Sequence, residues 1–511
     1  MRTRIFQVAA AALAFAFVAA TAQAQTTAPV KAPDTSSAEQ MAKPRTFDDC
    51  AKEIKNPTDW LNWGGDIRVR NEYYPNTVSL SKNAPLNEQD VVRYRGRVWA
   101  TVTPLTNVNV NGRLAAEPRL WVKPSFTTAD TGNSGMEWRY GIVDNLNVKL
   151  NNLFNQPATL IAGRQDIALG DYYDWWLVLD GTPADGSWTF FLDGIRLTYD
   201  AKPIKTKFDF IYINQNAKPD AVLPTIGSSS FEHPDRNVRT DYQLTEQNEQ
   251  GLIGYVSNTS IKNTQLDGYF IYKRDNRQTF ERLGANSIPG DNANIYTFGG
   301  KLTGTPEEHW QYSGEGAYQF GNKEDNVREG GVLTFADRKI DAYGGKAKLT
   351  YLFKDKFNCQ LSLNGEFLSG DDPKTTGKDE MFDLLWGRWP RWSELYIYSY
   401  ATETSGKFAQ MNNLIRFGPS LTCTPIKGLT ASVMYNALFA PEDTPTRRLG
   451  SSAALFSNDG NFRGHYLQAV LKHQFNKYVS GHLWGEWIWE GNYYAQRDLM
   501  AFLRAEVMFS F

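Results

Sequence analysis

The sequence predicts an all-β fold: a transmembrane antiparallel up-and-down barrel of about eighteen strands, with short periplasmic turns and long extracellular loops. Three observations predict it, namely the last strand, the absence of a spanning helix from the body of the chain, and an alternation of short and long connections. At period two, Ala501–Phe511 puts Ala501, Leu503, Ala505, Val507, Phe509 and Phe511 on one side, and Phe502, Arg504, Glu506, Met508 and Ser510 on the other. A final strand that is apolar on one face, charged on the other and ends on Phe suits the closure of an outer-membrane barrel. Lipid offers no partner to backbone polar groups, so strands cross it only as a closed barrel. A soluble sandwich would allow the same half-buried strand, and the remaining elements have to decide.

The chain opens with two arginines in Met1–Arg4 and an apolar run, Ile5–Ala20. Ala22-Gln-Ala24 then has the small-x-small form of a signal-peptidase site, so residues 1–24 read as a signal peptide. No later stretch approaches the ~18 apolar residues of a spanning helix. Thr26 to Ala42 is rich in Thr, Ala, Pro and Ser and reads as a disordered linker. A short helix is expected between Thr46 and Trp60. Residues 25–62 thus form a periplasmic segment, and 63–511 the barrel.

The strands follow. Ile67 and Val69 alternate with Asp66, Arg68, Arg70 and Glu72, and Val92, Tyr94, Val98, Ala100 and Val102 with Arg93, Arg95, Arg97 and Trp99. Val108, Val110 and Leu114 oppose Asn109, Asn111, Arg113 and Glu117. The pattern recurs at Ile195–Tyr199, Leu266–Tyr272, Ala347–Tyr351 and Leu483–Trp489. Charges on the inner face of a dry sandwich would be very costly unless paired, whereas facing a wet lumen they cost little. Turns at 103–106, 201–204, 305–308, 353–356 and 424–427 alternate with long connections at 73–90, 118–142, 166–189, 216–250, 275–294, 321–339, 370–411 and 441–461. So many long loops are foreign to a compact soluble domain. A barrel of this size encloses an aqueous channel.

Composition agrees. Aromatic residues reach 14%, enough for two interfacial girdles. A mean hydropathy of −0.48 is too polar for a helical membrane protein. The net charge of −2, with no basic block, excludes nucleic acid as a partner.

Several motifs carry a resemblance. Leu160-Ile-Ala-Gly-Arg-Gln-Asp-Ile-Ala-Leu-Gly-Asp171 ends an ascending strand, and Phe191-Leu-Asp-Gly-Ile-Arg-Leu-Thr-Tyr199 opens the next. Gly365-Glu-Phe-Leu-Ser-Gly-Asp-Asp372 leads into an aromatic loop, and Gly64–Glu72 is followed by Arg93-Tyr-Arg-Gly-Arg97. From about Trp63 to the C-terminus the chain resembles the alginate export porins of Gram-negative bacteria. The loop Asp379–Trp392 follows that pattern only loosely. The resemblance implies an eighteen-stranded outer-membrane barrel whose arginine-rich constriction passes a polyuronate outward. Bacterial outer membrane is the expected location, with its lipid, an anionic polysaccharide or oligosaccharide, and periplasmic export components as partners.

The inward faces carry Arg68, Arg70, Arg93, Arg95, Arg97, Arg113, Lys149, Arg164, Arg196, Lys346, Lys348, Arg416 and Arg504 as candidate pore-lining groups. Guanidinium forks suit carboxylates, and clustered cations concentrate anions. Asp66, Glu72, Glu117, Asp267, Glu315, Glu366, Glu486, Glu490 and Glu506 share that face as counter-charges. For any single arginine, bracing a mixed-charge wall is the commoner role. The ladder 93-95-97, beside Arg68, Arg70 and Arg113, suits a selectivity patch equally well, and its reversal to Glu is expected to change selectivity with little effect on the barrel.

Five histidines without metal-ligand spacing speak against an enzyme, and no cofactor is expected. Asp371, Asp372, Asp379 and Glu380 lack the pattern of a dedicated calcium loop and read as a solvated loop surface. Tyr396, Tyr398 and Tyr400 read as interfacial girdle, and Trp386, Trp389 and Trp392 as girdle or sugar-stacking lid. Cys359 and Cys423 fall at the periplasmic ends of adjacent strands. A disulfide is geometrically open to them, with two lipid-facing thiols slightly favoured. The expected function is passive diffusion of an alginate-like polyuronate. The alternatives are a general or small-anion and oligosaccharide porin, and a non-conducting structural barrel or adhesin.

Overall fold

The computed structural model describes residues 46–84, 87–125, 133–167, 169, 191–227, 230–231, 244–245, 247–280, 288–329, 332–387, 391–403, 412–444, 455–457 and 459–511. The expected signal peptide, most of the linker, Trp389 and the Tyr400 side chain lie outside them. Among the described residues eighteen strands form one closed antiparallel barrel. They are β1 (Leu61–Pro75), β2 (Glu88–Leu105), β3 (Val108–Ala116), β4 (Ile142–Leu150), β5 (Ala158–Gln165), β6 (Leu192–Ala201), β7 (Thr206–Gln215), β8 (Gln247–Asn258) and β9 (Thr264–Arg277). The circuit continues with β10 (Asn292–Glu307), β11 (Trp310–Glu329), β12 (Val332–Leu352), β13 (Gln360–Leu368), β14 (Leu414–Ile426), β15 (Leu429–Phe439), β16 (Phe462–Gln474), β17 (Val479–Glu490) and β18 (Leu499–Ser510). Each pairs with the next, and β18 closes on β1 with Arg504 opposite Glu72 and Glu506 opposite Arg70. Closure leaves no sheet edge to meet lipid.

The predicted alternation is what the strands do. On β1, Asp66, Arg68, Arg70, Glu72 and Tyr74 point inward and are buried, while Ile67 and Val69 are exposed outward. Val98, Ile195, Phe210, Leu252, Phe298, Leu363 and Phe417 continue an exposed apolar belt around the barrel, the surface that acyl chains cover. Aromatic rings border it: Tyr272, Tyr296 and Phe320 stack towards the outer rim, and Trp310, Tyr351 and Phe353 meet edge-on at the periplasmic end.

Three expectations need correction. Residues 321–339 are no outer loop, because the β11–β12 ladder runs in register from Gly321↔Ile340 to Glu329↔Val332. Cys359 and Cys423 form a disulfide. Gln360 pairs with Thr422, so the cysteines occupy the next step of the same ladder. Tyr396 and Tyr398 are not girdle residues, since they ride inside the barrel on the helix Glu394–Glu403.

Helix α1 (Phe47–Lys55) fills the stretch where a helix was expected. The Asp49 amide donates to Thr46 Oγ (3.2 Å) and the Thr46 amide to the Asp49 carboxylate (2.9 Å), a capping box. Tyr478, in the β16–β17 turn, donates to Asp48 (2.7 Å), which fixes α1 at the periplasmic rim. Helix α2 (Glu394–Glu403) lies in the long β13–β14 connection.

Candidate functional site: a charged lumen crossed by a folded loop

Register builds the wall. β1 and β2 place Arg68 opposite Arg95 and Arg70 opposite Arg93, two like-charged pairs that only interleaved carboxylates make tolerable. Glu72 accepts from Arg504 (2.7 Å) and Arg93 (3.2 Å), with Arg70 at 3.5 Å. Glu117 takes Arg68 (2.9 Å), Arg119 (3.2 Å) and Arg93. Glu506 takes Arg70 and Arg68, and Asp66 takes Arg97 and Arg95. With Arg139–Glu137 and Arg504–Glu394 included, eight guanidiniums share six carboxylates. The net is cationic, but little of it meets water. The side chains of Arg68, Arg70 and Arg504 are 0% exposed, and Arg97 is 14% exposed. The patch is therefore mostly a packed ion-pair network, and Arg97 is the ladder member that reaches open lumen. Reversing all three ladder residues would set buried Glu against Glu72, Glu117 and Asp66, so the expectation that the barrel would hardly notice is revised.

The other predicted cations are also engaged. Arg113 turns away from the ladder to Asp144 (2.7 Å) and Asp166 (2.8 Å). Arg196 donates to Asp209 (2.8 Å). Arg164 forks onto Asp193 through Nε (2.8 Å) and Nη2 (3.0 Å) beneath the Phe191 ring. That fork joins two of the motifs read from sequence, whose strands place Gly163 opposite Gly194. A Cβ on Gly194 would lie 2.1 Å from the Tyr212 carbonyl oxygen, so only glycine allows the close approach. Lys149 is half-buried on β4, opposite Asn109. Asp144, Asp166, Asp193 and Asp209 were missed as partners. Asp193 and Asp209 each stand cross-strand from the cation-bearing segment, the one signal that pointed to them.

On β9–β14 the register lines up a belt, Asp267↔Lys301↔Glu315↔Lys346↔Glu366↔Arg416, in which the sign of charge alternates at every strand. Lys346–Glu315 (2.8 Å) and Arg416–Glu366 (2.5 Å) are ion pairs. The belt is neutral as a whole.

The β13–β14 connection does not stand outside as a lid. Phe382, Leu385, Trp386, Leu395 and Tyr396 are fully buried. Asp379 pairs with Lys323 of β11 (2.9 Å), and Asp383 approaches Lys273 of β9 (3.7 Å). Trp386 lies flat on β8, where a Cβ on Gly251 would meet its ring at 2.1 Å. Six residues later the Trp392 carbonyl accepts from Tyr466 (3.2 Å) and Gln468 (2.8 Å) of β16, and Arg416 of β14 stacks on its ring (4.8 Å). Trp386 and Trp392 thus rest on walls eight strands apart in the circuit. Glu486 of β17, expected as a simple counter-charge, accepts from Ser393 Oγ (2.6 Å) and from the Glu394 and Leu395 amides (3.0 Å each), so it holds the N-terminus of α2. Tyr398 donates to Glu72 (3.2 Å) and stacks on Tyr74 (4.5 Å). Of the loop acids expected at a solvated surface, Asp371, Asp379 and Glu380 are spent on cations and a hydroxyl, while Asp372 accepts from the Lys374 amide (2.9 Å) in an exposed turn. Arg338 forks onto Asp371 (2.9 and 2.6 Å), Thr375 donates to Glu380 (2.6 Å), and burial pushes the Asp371 carboxyl up to about 6.

A closed barrel with an apolar outer belt and a charged lumen narrowed by an infolded loop is an outer-membrane channel of the porin type. The chain belongs to the alginate export family, whose family model matches residues 236–505. Among solved structures it is similar to OccAB1 of Acinetobacter baumannii, at 9% identity and a TM-score of 0.50, covering 88% of this chain and 96% of that one. A BenF-like porin from Pseudomonas fluorescens Pf-5 aligns at 8% identity and a TM-score of 0.49, over 88% of this chain and 98% of that one. At 9% identity the OccAB1 likeness speaks for fold alone. A search of curated protein sequences found no match.

Proposed function

We propose that the channel passes an anionic polysaccharide of the alginate-like polyuronate type by passive diffusion, with the residual positive charge of its arginine-rich wall as the filter. The supporting observation is the excess of eight guanidiniums over six carboxylates in the network on β1, β2, β18 and the segments against them, with Arg97 the most exposed of its ladder. Family membership supports a polyuronate as the anion. The infolded loop favours a second reading, a porin for small anions or oligosaccharides, because it narrows the passage a polymer needs.

Planar-bilayer recordings test both. Reversal potentials in a salt gradient should show anion preference that weakens as ionic strength rises, because salt screens the wall. Long polyuronate chains should block for times that grow with chain length. Chain-length-independent block by short oligomers alone would support the small-solute reading. A barrel without stable conductance would make it a structural element or adhesin.

A further inference from the structure

We infer that the periplasmic mouth carries a saccharide subsite between β9 and β13, suited to a uronate-bearing sugar of the chain about to be transported. The inference rests on the polyuronate reading above and adds where, and by which groups, the chain is first held.

One step towards the periplasm from the alternating charge belt, the register places Gln265↔Thr303↔Ser313↔Lys348 on successive strands β9 to β12. Gln311 and Thr350 face each other in the following row. These side chains line a trough of about 540 Å³, closed at its rim by the β8–β9 turn. That volume falls within the roughly 300–1,000 Å³ of small-ligand clefts. Its lining is mostly hydroxyl and amide, with Ile261 and Tyr312 as its large apolar surfaces, Lys348 as its cation and no carboxylate among the lining residues. Hydroxyls and amides that both donate and accept match the hydroxyl groups of a pyranose. The missing carboxylate removes a repulsion that would exclude a uronate, and Asp267 of the belt above is held by the Gln265 amide (2.9 and 3.0 Å) and the Tyr255 hydroxyl (3.0 Å). Exchange of water for sugar at neutral groups gains little net free energy, whereas an ammonium–carboxylate hydrogen bond gains more. Lys348 is therefore the discriminator between charged and neutral sugars, and the hydroxyl rows supply grip without specificity. Weak, divided binding is what conduction requires, since a ligand has to leave as readily as it enters.

The test is oligouronate block of single channels whose orientation is known, with oligomer added to one side at a time. Lys348→Gln should weaken block from the periplasmic side about tenfold, the effect of losing one charge-assisted hydrogen bond. The same variant should leave block from the extracellular side within about twofold. Thr303→Val with Ser313→Ala should weaken periplasmic block by uronate and neutral oligomers alike, whereas Lys348→Gln should spare the neutral ones. Heat-modifiable gel mobility establishes that each variant is folded. Periplasmic block that persists undiminished in both variants, or falls equally from both sides, overturns the subsite while leaving the cargo reading standing. Wild-type channels that oligouronates block from neither side overturn the cargo reading, and the subsite with it.

Discussion

Glu72 is the residue on which the arginine wall depends. It is fully buried and meets Arg70, Arg93, Arg504 and Tyr398, contributed by β1, β2, β18 and α2. Removing one partner of a buried ion pair leaves uncompensated charge, at about 3–5 kcal/mol. Glu72→Gln is expected to lower the stability of the barrel refolded in lipid vesicles by that order, read from urea unfolding. A loss under about 1 kcal/mol would mean that water reaches the network. Arg97 makes the contrasting case. Its guanidinium shares Asp66 with Arg95 and is the ladder's most exposed. Arg97→Gln should change stability by no more than about 0.5 kcal/mol while reducing anion preference measurably at low salt. The inverse result, a marked stability loss with selectivity unmoved, would assign Arg97 to bracing. The residue types on this wall were legible because charged side chains at period two have nowhere to face but a lumen. Their neutralisation was not, because Arg113 and Arg196 find acids on other strands and only register brings Arg68 opposite Arg95.

At the scale of elements, β13 and β14 flank a connection that folds into the lumen. Their disulfide closes a span of 64 residues containing that whole loop. Loop-closure entropy for such a span gives at most about 4 kcal/mol, and in practice 2–4. Reduction of the unfolded chain followed by alkylation should lower stability on refolding by that amount, and intact mass should show one pair of protected thiols. Full alkylation of all three cysteines without prior reduction would refute the bridge. Why the loop was misread is physical. Tyr396, Tyr398 and Tyr400 alternate as a strand's girdle residues do, yet Ser393 caps a helix there, donating to Glu486 while its hydroxyl accepts from the Tyr396 amide (2.9 Å). Phe382, Leu384, Leu385 and Trp386 are apolar without period, so composition revealed neither a partner nor a direction. The tight turns and most strands were legible because polar and apolar residues alternate cleanly there.

For the whole molecule, closure divides the chain's surface into a lipid side and a lumen side, and the infolded loop then divides the lumen. An eighteen-strand barrel is wide enough for a water-filled channel. Here the loop's apolar residues pack against β8–β16, while α2 reaches Glu486 on β17, Arg504 on β18 and Tyr74 on β1. Among the described residues, Arg97, Arg113 and Arg196 stand on β2, β3 and β6, away from these contacts. Gly377–Asp379 pair with β12 by backbone, but residues 382–403 meet the wall through the side chains of Gln319, Tyr466, Gln468 and Glu486, so replacing that stretch should spare the barrel. Replacing residues 382–403 with a Gly/Ser linker of equal length is expected to raise single-channel conductance several-fold and to dilute anion preference, because the field of the arginine wall then acts on a wider, better screened lumen. Glu486→Ala, which frees only the α2 end, should produce partial, fluctuating openings between the two levels. Conductance that stays at the wild-type value in a folded, heat-modifiable replacement variant would locate the limiting aperture at the arginine wall itself.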